Sequence, residues 1–158
     1  MKLRKFSLQD SARVTELLQD EEVSKWTSNI PFPYSEQHAI EWIEGTTKDD
    51  DRSPYAIEVN SEIVGCISHW VNAESEIEVG YWLGKSYWGQ GYCTEALSKM
   101  LSLPDFPATS KIVAKVMIEN IGSQRVLLKH GFTYTSDCYC QKQDNKVDAK
   151  FYTKEITT

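Results

Sequence analysis

The segment from Ser86 to Leu97, SYWGQGYCTEAL, constrains the fold of this chain more than any other. Gly89 and Gly91 stand with one residue between them, and residues of good helix propensity follow from Thr94. A glycine-rich turn that leads into a helix gathers unpaired backbone N–H groups at the positive end of the helix dipole. Such a turn binds phosphate groups, so we expect a phosphate compound to bind here.

The segments on either side of this turn predict a mixed α/β domain. After a short first strand, apolar residues recur at helical spacing, and from Pro54 they alternate instead. The alternation predicts three consecutive strands, joined by turns at Asn60 and Ser61 and at residues 72–75. Helix, strand, helix and two antiparallel strands follow the glycines. The length predicts one domain spanning residues 1–158.

Two of the predicted helices have clear termini. The helix after the glycine pair is expected to end near Leu103, because Pro104 and Pro107 stop it. The next helix is expected to begin after Asn120, a good N-cap residue, and to end before Gly131.

The composition and the cysteines exclude several other classes of protein. The net charge of −6 argues against a nucleic-acid binder, because phosphate affinity comes from accumulated Lys and Arg. We expect no membrane partner and a cytoplasmic location, since the chain shows neither a secretory signal nor an apolar run of ~20 residues. Four cysteines without paired spacing or a neighbouring His predict free thiols and no metal site.

Two common phosphate-binding motifs do not fit the glycine turn. The letters GKS at residues 84–86 resemble the end of a P-loop, but Val79 stands where that motif needs glycine. A dinucleotide-binding GxGxxG would need glycine at Thr94, and here the segment follows an antiparallel meander. A plain turn that uses glycine for its positive φ is the remaining structural alternative.

A third interpretation comes from family resemblance. The segment YWGQGYCTEAL, after the strand EVGYWLGK, resembles the acetyl-coenzyme A loop of the GNAT N-acetyltransferase superfamily. Trp88 stands where that family usually has Arg or Gln, and Cys93 where it has Gly or Ala. The RimJ/RimL-like branch of ribosomal-protein acetyltransferases commonly has YWG-x-GYATEA, which fits Trp88. The segment NIGSQRVLLKHGF, residues 120–132, resembles a second family motif, and both ends of the chain resemble this branch.

This resemblance implies a fold and an activity. The fold is a single α/β (α+β) domain, with a mixed, mostly antiparallel sheet of about six to seven strands and helices on both faces. The activity is direct transfer of the acetyl group of acetyl-coenzyme A to a primary amine in a ternary complex, without a metal. The acceptor is expected to be a protein N-terminal α-amine or a small-molecule amine. The alternative is a non-catalytic coenzyme A sensor module, and the oligomeric state stays open, with a homodimer as one option.

The resemblance also assigns residues to the coenzyme. In the family, the backbone amides of the glycine turn hold the pyrophosphate; here these belong to Gln90, Gly91, Tyr92, Cys93 and Thr94. Trp82 and Leu83, at the end of the preceding strand, would pair with the pantetheine arm as with an added strand. Asn120 would reach the same arm, and a simple helix N-cap is its structural alternative.

The acceptor side and the acid are assigned in the same way. The N-terminal helices and their loop build the acceptor side in the family, which makes Trp26, Phe32 and Tyr34 candidates to line it. Many members use a tyrosine as the acid, but Leu127 stands at that position. In the RimL-like branch a serine takes this role, and here it is Ser123, whose structural alternative is a first-turn helix residue.

The base is less clearly marked. Glu76 and Glu78 lie two apart on a predicted strand and so share a face; Glu78 is the candidate, and solvent-facing charge is the alternative for each. The acidic residue that the branch carries on its penultimate strand would fall near Lys142. Without a strong base, an α-amine suits the site better than a lysine, because deprotonation at pH 7 costs roughly 1 kcal/mol rather than about 4.6 kcal/mol.

Overall fold

A sheet in the strand order β1-β2-β3-β4-β5-β7-β6 organises the protein, as seen in a computed structural model that describes residues 1–28, 30–46, 48, 52–142 and 144–156. The seven strands of the described residues are β1 Lys2–Arg4, β2 Arg52–Val59, β3 Glu62–Val71, β4 Ile77–Leu83, β5 Lys111–Met117, β6 Thr133–Lys142 and β7 Asn145–Glu155. Within these residues all neighbouring strands are antiparallel except β4 and β5, which run parallel. The predicted mixed, mostly antiparallel sheet is confirmed.

Helices cover both faces of this sheet. They are α1 Ser11–Leu18, α2 Glu21–Ser24, α3 Glu36–Thr46, α4 Tyr92–Leu101 and α5 Ile121–Lys129, with 3₁₀ turns at Leu8–Asp10 and Lys85–Tyr87. Val14, Val23 and Ile43 carry the apolar stripes of α1 to α3 into one core. Leu97 of α4 and Leu127 of α5 pack into a second core on the opposite face. The predicted α/β architecture, with helices on both faces of the sheet, is therefore confirmed.

Local sequence signals explain most element boundaries. Asn60 and Ser61 have φ of 51° and 66°, as a two-residue hairpin turn of the I′ type requires, and they join β2 to β3. Helix α4 ends at Leu101, two residues before the expected end. Its last turn tightens, since the Leu103 N–H donates to Met100 O three residues back at 3.1 Å.

The two central parallel strands separate soon after they meet. They pair at two positions of the described residues, Ile77 with Ile112 and Glu78 with Val113. Beyond Glu78, β4 continues along β3 to Leu83, while β5 continues along β7. A wedge-shaped opening therefore lies between the carboxyl halves of β4 and β5. In the part of the chain that the structure describes, no strand pairs with the backbone edges that face this opening.

Candidate active site

The opening between the strands belongs to a cavity of about 960 Å³. The two separated strands contribute part of its lining: Glu78, Val79, Gly80, Tyr81 and Trp82 from β4, and Ala114, Lys115, Val116 and Met117 from β5. Because side chains alternate along a strand, Glu78 and Trp82 point toward α1 to α3, whereas Tyr81 points toward α4 and α5. The wedge thus joins two compartments with different side chains.

The glycine turn presents bare backbone at the start of α4. Gly89 and Gly91 have φ of 76° and 83°, and a Cβ built on either would meet no atom within 4 Å. The first bond of the helix runs from the Glu95 N–H to Gly91 O, at 3.0 Å. The amides that precede it in the helix, without an intrahelical acceptor, are those of Tyr92, Cys93 and Thr94. This open, electropositive turn suits a pyrophosphate.

Both departures from the family pattern have a physical explanation. The Trp88 indole N–H donates to Leu83 O at 2.9 Å, and so ties the turn to the end of β4. The Gln90 side-chain amide donates to Ser86 O at 3.2 Å and closes the same turn. Cys93 packs against the core that contains α4, and burial raises the pKa of its thiol to about 12. It therefore stays neutral and fills the place of a small apolar residue.

Glu78 lies in β4, whereas Glu76 lies just before it, because β4 begins at Ile77. The prediction that both glutamates lie on this strand is therefore wrong for Glu76, and the two occupy opposite environments. Glu78 is buried, with 8% of its surface exposed, and it lines the cavity. Burial raises the pKa of its carboxyl group, against the opposing effect of the Asn72 amide, which donates to Glu78 Oε1 at 3.2 Å. Glu76 instead accepts from Lys111 Nζ at 2.7 Å, and this hydrogen bond lowers its pKa. Of the two, Glu78 is the one that lines the cavity and whose pKa is raised.

Ser123 lies on the other side of the wedge, in contact with a tyrosine that the sequence analysis did not single out. The Ser123 hydroxyl donates to Tyr81 Oη at 2.9 Å, and the Tyr81 hydroxyl donates to Ser123 O at 3.1 Å. Burial raises the pKa of Tyr81, so the phenol is protonated at neutral pH. Asn120 Oδ1 accepts from the Ser123 N–H at 3.2 Å, which makes Asn120 a helix N-cap that also lines the cavity.

The aromatic candidates for the acceptor side separate in the structure. Trp26 and Tyr34 line the cavity, and burial raises the pKa of the Tyr34 phenol to about 12. Phe32 is half-buried and does not line it. Trp82 lines it as well, whereas the Leu83 side chain is buried in the core with α4.

Lys142 makes a contact between parts of the chain that are distant in sequence. Its ammonium donates to Ser24 O at 2.6 Å and to Thr27 O at 2.8 Å. These bonds join the β6–β7 hairpin to the end of α2 across more than a hundred positions of sequence. Burial lowers the pKa of Lys142. A structural role thus replaces the acidic residue that the family branch carries nearby.

In the described part of the chain, His, Cys, Asp and Glu side chains form no group of three or more that could hold a metal ion. No helix of the described residues combines the length and the apolarity that crossing a membrane requires.

Comparisons with known proteins agree with this geometry. A family model described as acetyltransferase (GNAT) domain matches residues 1–133. An uncharacterized N-acetyltransferase p20 of Bacillus licheniformis is 31% identical over 135 residues, which cover 79% of this chain and 74% of the relative.

Solved structures share the fold. The microcin C7 self immunity acetyltransferase MccE, in complex with acetyl-coenzyme A and AMP, superimposes with a TM-score of 0.83 at 21% identity, covering 98% of this chain and 91% of the other. RimL, a ribosomal L7/L12 alpha-N-protein acetyltransferase in complex with coenzyme A, gives 0.80 at 17%, covering 98% and 93%. At these identities the structural likeness establishes the fold, while the sequence matches establish the family. The chain thus belongs to the GNAT family of acetyl-coenzyme A dependent N-acetyltransferases.

Proposed function

We propose that this enzyme acetylates a primary amine that binds beside Glu78, with a protein N-terminal α-amine or a small-molecule amine as the acceptor. The observation that carries the proposal is the position of Glu78 in the cavity, at the second of the two positions where β4 and β5 pair and just before the strands separate. A buried carboxyl group with a raised pKa can take a proton from an ammonium group more readily than a solvated one.

The coenzyme would lie along the wedge. Its pyrophosphate would meet the amides of Tyr92, Cys93 and Thr94 at the start of α4, together with those of Gln90 and Gly91. Its amide-bearing arm would pair with the backbone of β4 near Trp82 and Leu83, an edge without a neighbouring strand, and would pass Asn120. The thioester supplies an activated acetyl group at the end of this arm.

Glu78 and Ser123 would then carry out different proton transfers. Glu78 accepts a proton from the acceptor ammonium, so that the neutral amine attacks the thioester carbonyl. On the other side of the wedge, the Ser123 hydroxyl would turn its proton from the Tyr81 phenol oxygen to the departing thiolate and regain a proton from solvent before the next turnover. Coenzyme A thiolate is a fair leaving group, since thiol pKa values lie near ≈ 8.5, and a weak acid suffices.

An α-amine suits this base better than a lysine side chain. Even with its pKa raised by burial, a carboxylate is a weak base beside an amine of pKa ≈ 10.4, whereas the α-amine of a peptide lies near ≈ 7.7–8.0 and that of a free amino acid lies between these values. The likeness to RimL, whose name describes an alpha-N-protein acetyltransferase, also favours an α-amine. The aromatic walls formed by Trp26 and Tyr34 would hold the rest of the acceptor.

Thiol release from acetyl-coenzyme A tests this function. The acceptors are a peptide with a free N-terminus, the same peptide with a blocked N-terminus and one lysine, and small α-amines. We expect the free α-amines to react faster at pH 7. A rate that climbs steeply toward pH 10 with lysine preferred would overturn the α-amine assignment. Tight coenzyme binding without thiol release from any acceptor would favour the sensor module instead.

A further inference from the structure

A row of chemically distinct side chains crosses four strands on the acceptor face of the sheet. Arg52 of β2 pairs with Trp70 of β3, and Trp70 pairs with Glu78 of β4. Glu78 pairs with Val113 of β5, and Lys115 follows two residues later on the same face. Arg52, Trp70, Glu78 and Lys115 all line the cavity. An acceptor beside Glu78 therefore meets a cation on each side of the carboxylate.

The indole ring of Trp70 holds one of these cations in place. The Arg52 guanidinium carbon lies 4.4 Å from the centroid of this ring, in a cation–π arrangement. The opposite neighbour of the ring is Gly80, where a Cβ would stand 2.9 Å from Trp70 Cη2. The glycine thus lets the indole lie against β4. The indole ring thus positions Arg52 over the cavity.

Both cations act on Glu78 without forming an ion pair with it. Lys115 and Arg52 each lower the pKa of Glu78, although burial outweighs them. Among the described residues, the salt bridges involve neither Arg52 nor Lys115. Glu41 and Glu74 also line the cavity, but both are exposed. The inner part of the acceptor site therefore combines one acid, Glu78, with one half-buried cation, Arg52, while Lys115 is an exposed cation at its rim.

We propose, on the basis of the function proposed above, that the acceptor is a free amino acid with an apolar side chain. Its ammonium group lies at Glu78 and its carboxylate is bound by Arg52, whose planar fork matches a carboxylate in two hydrogen bonds. Lys115 is the second cation on the far side of Glu78. The side chain of the amino acid packs on Trp26, Tyr34 and Trp70. A peptide N-terminus lacks this carboxylate, because its carbonyl carbon forms a neutral amide.

Matched acceptors test the proposal. We would measure thiol release at pH 7.5 with the L-forms of phenylalanine, tryptophan, leucine and methionine, each beside its amide, its decarboxylated amine and its dipeptide with glycine. The free acid of at least one set should give a kcat/KM about 10- to 100-fold above its three partners, the range for a charge-assisted hydrogen bond. The amide has the lower amine pKa, and this difference works against the expected result.

Substitutions test whether the cations of this row cause the preference for the free acid. Arg52→Gln should lower the acid-to-amine ratio of kcat/KM by about 10-fold or more, and Lys115→Gln by a smaller factor. Lys99→Gln removes one cation from an exposed position on α4 and should leave the ratio unchanged.

Three outcomes would contradict the proposal. Dipeptides or decarboxylated amines that react as fast as the acids would exclude amino acid recognition and leave acetyl transfer intact. An acid preference that survives in Arg52→Gln would place carboxylate binding elsewhere. Absence of thiol release with every amine, while coenzyme A still binds, would instead overturn the proposed function itself.

Discussion

At the scale of single residues, Glu76 and Glu78 show how two acids close together in the chain, one just before β4 and one within it, acquire opposite properties. Burial raises the pKa of Glu78, so the folded state binds its proton more tightly than the unfolded chain does. The stability that this adds is present below the ordinary glutamate pKa and is lost as the pH rises through the raised value. Lys111 lowers the pKa of Glu76, and its contribution is instead lost as the pH falls.

Glu78→Gln should therefore separate stability from activity. We expect its Tm to exceed that of the wild type at pH 8, and the two to converge near pH 4, where Glu78 is protonated in both states. Its kcat should fall by about 10²–10⁴-fold, as for loss of a general base.

Glu76→Gln is the matched control for this substitution. It should lose less than about 1 kcal/mol of stability at pH 7 and keep its kcat. A Glu78→Gln enzyme that retained full kcat would remove Glu78 from the chemistry.

Ser123 is the second residue whose chemical role can be tested separately from its structural role. Ser123→Ala should lower kcat by about 10²–10⁴-fold with little change in coenzyme affinity, the signature of an interaction made in the transition state. Ser98→Ala removes a hydroxyl from an exposed position of α4 and should change neither. Loss of thermal stability with an unchanged kcat would show that Ser123 serves the helix start alone.

At the scale of elements, the start of α4 and the end of α5 offer a matched pair of glycines. Gly91 and Gly131 have φ of 83° and 82°, and a Cβ on either meets nothing closer than 4.0 Å. Valine at either position should cost a similar amount of backbone strain, about 1–2 kcal/mol.

The two variants should differ in coenzyme binding. Calorimetric titration should find no measurable acetyl-coenzyme A binding to a folded Gly91→Val protein, since the side chain would stand between the amides and the phosphate. Gly131→Val should bind as the wild type does. Equal affinity in both variants would refute the assignment of the glycine turn.

The contact between the β6–β7 hairpin and α2 belongs to the same scale. Lys142→Met removes two hydrogen bonds to the carbonyls of Ser24 and Thr27. We expect faster hydrogen exchange in the segment between α2 and α3 and an acceptor KM raised roughly 10-fold, with coenzyme affinity unchanged.

Lys146→Met serves as the control. Lys146 lies on the same hairpin, and its ammonium stands 5.7 Å from the Tyr139 ring centroid. If Lys142→Met matched it in both exchange and KM, the hairpin would have no part in shaping the acceptor region.

At the scale of the whole molecule, local pattern predicts the elements and distant pairing determines the site. The alternation after Pro54, the Asn60–Ser61 turn and the glycine turn identify the meander and α4 from sequence alone. The separation of β4 from β5 has no local signal, because it depends on each strand following a different neighbour.

Several site residues cannot be identified from the sequence for the same reason, because their partners are distant in the chain. Tyr81 meets Ser123 across 42 positions, and Lys142 meets Ser24 across 118. The row from Arg52 through Trp70 to Glu78 appears only once the strand register is known. Motif spacing can identify Ser123 and Glu78 as candidates, but it cannot show which face of the sheet each one occupies.

A crystal structure of the protein with coenzyme A would show directly whether the coenzyme lies along the opening between β4 and β5. We expect the pyrophosphate against the amides of Tyr92, Cys93 and Thr94, and the thiol in this opening. Glu78 should lie on one side of the thiol and Ser123 on the other. A coenzyme whose pyrophosphate lies away from the start of α4, or whose thiol lies outside this opening, would contradict it.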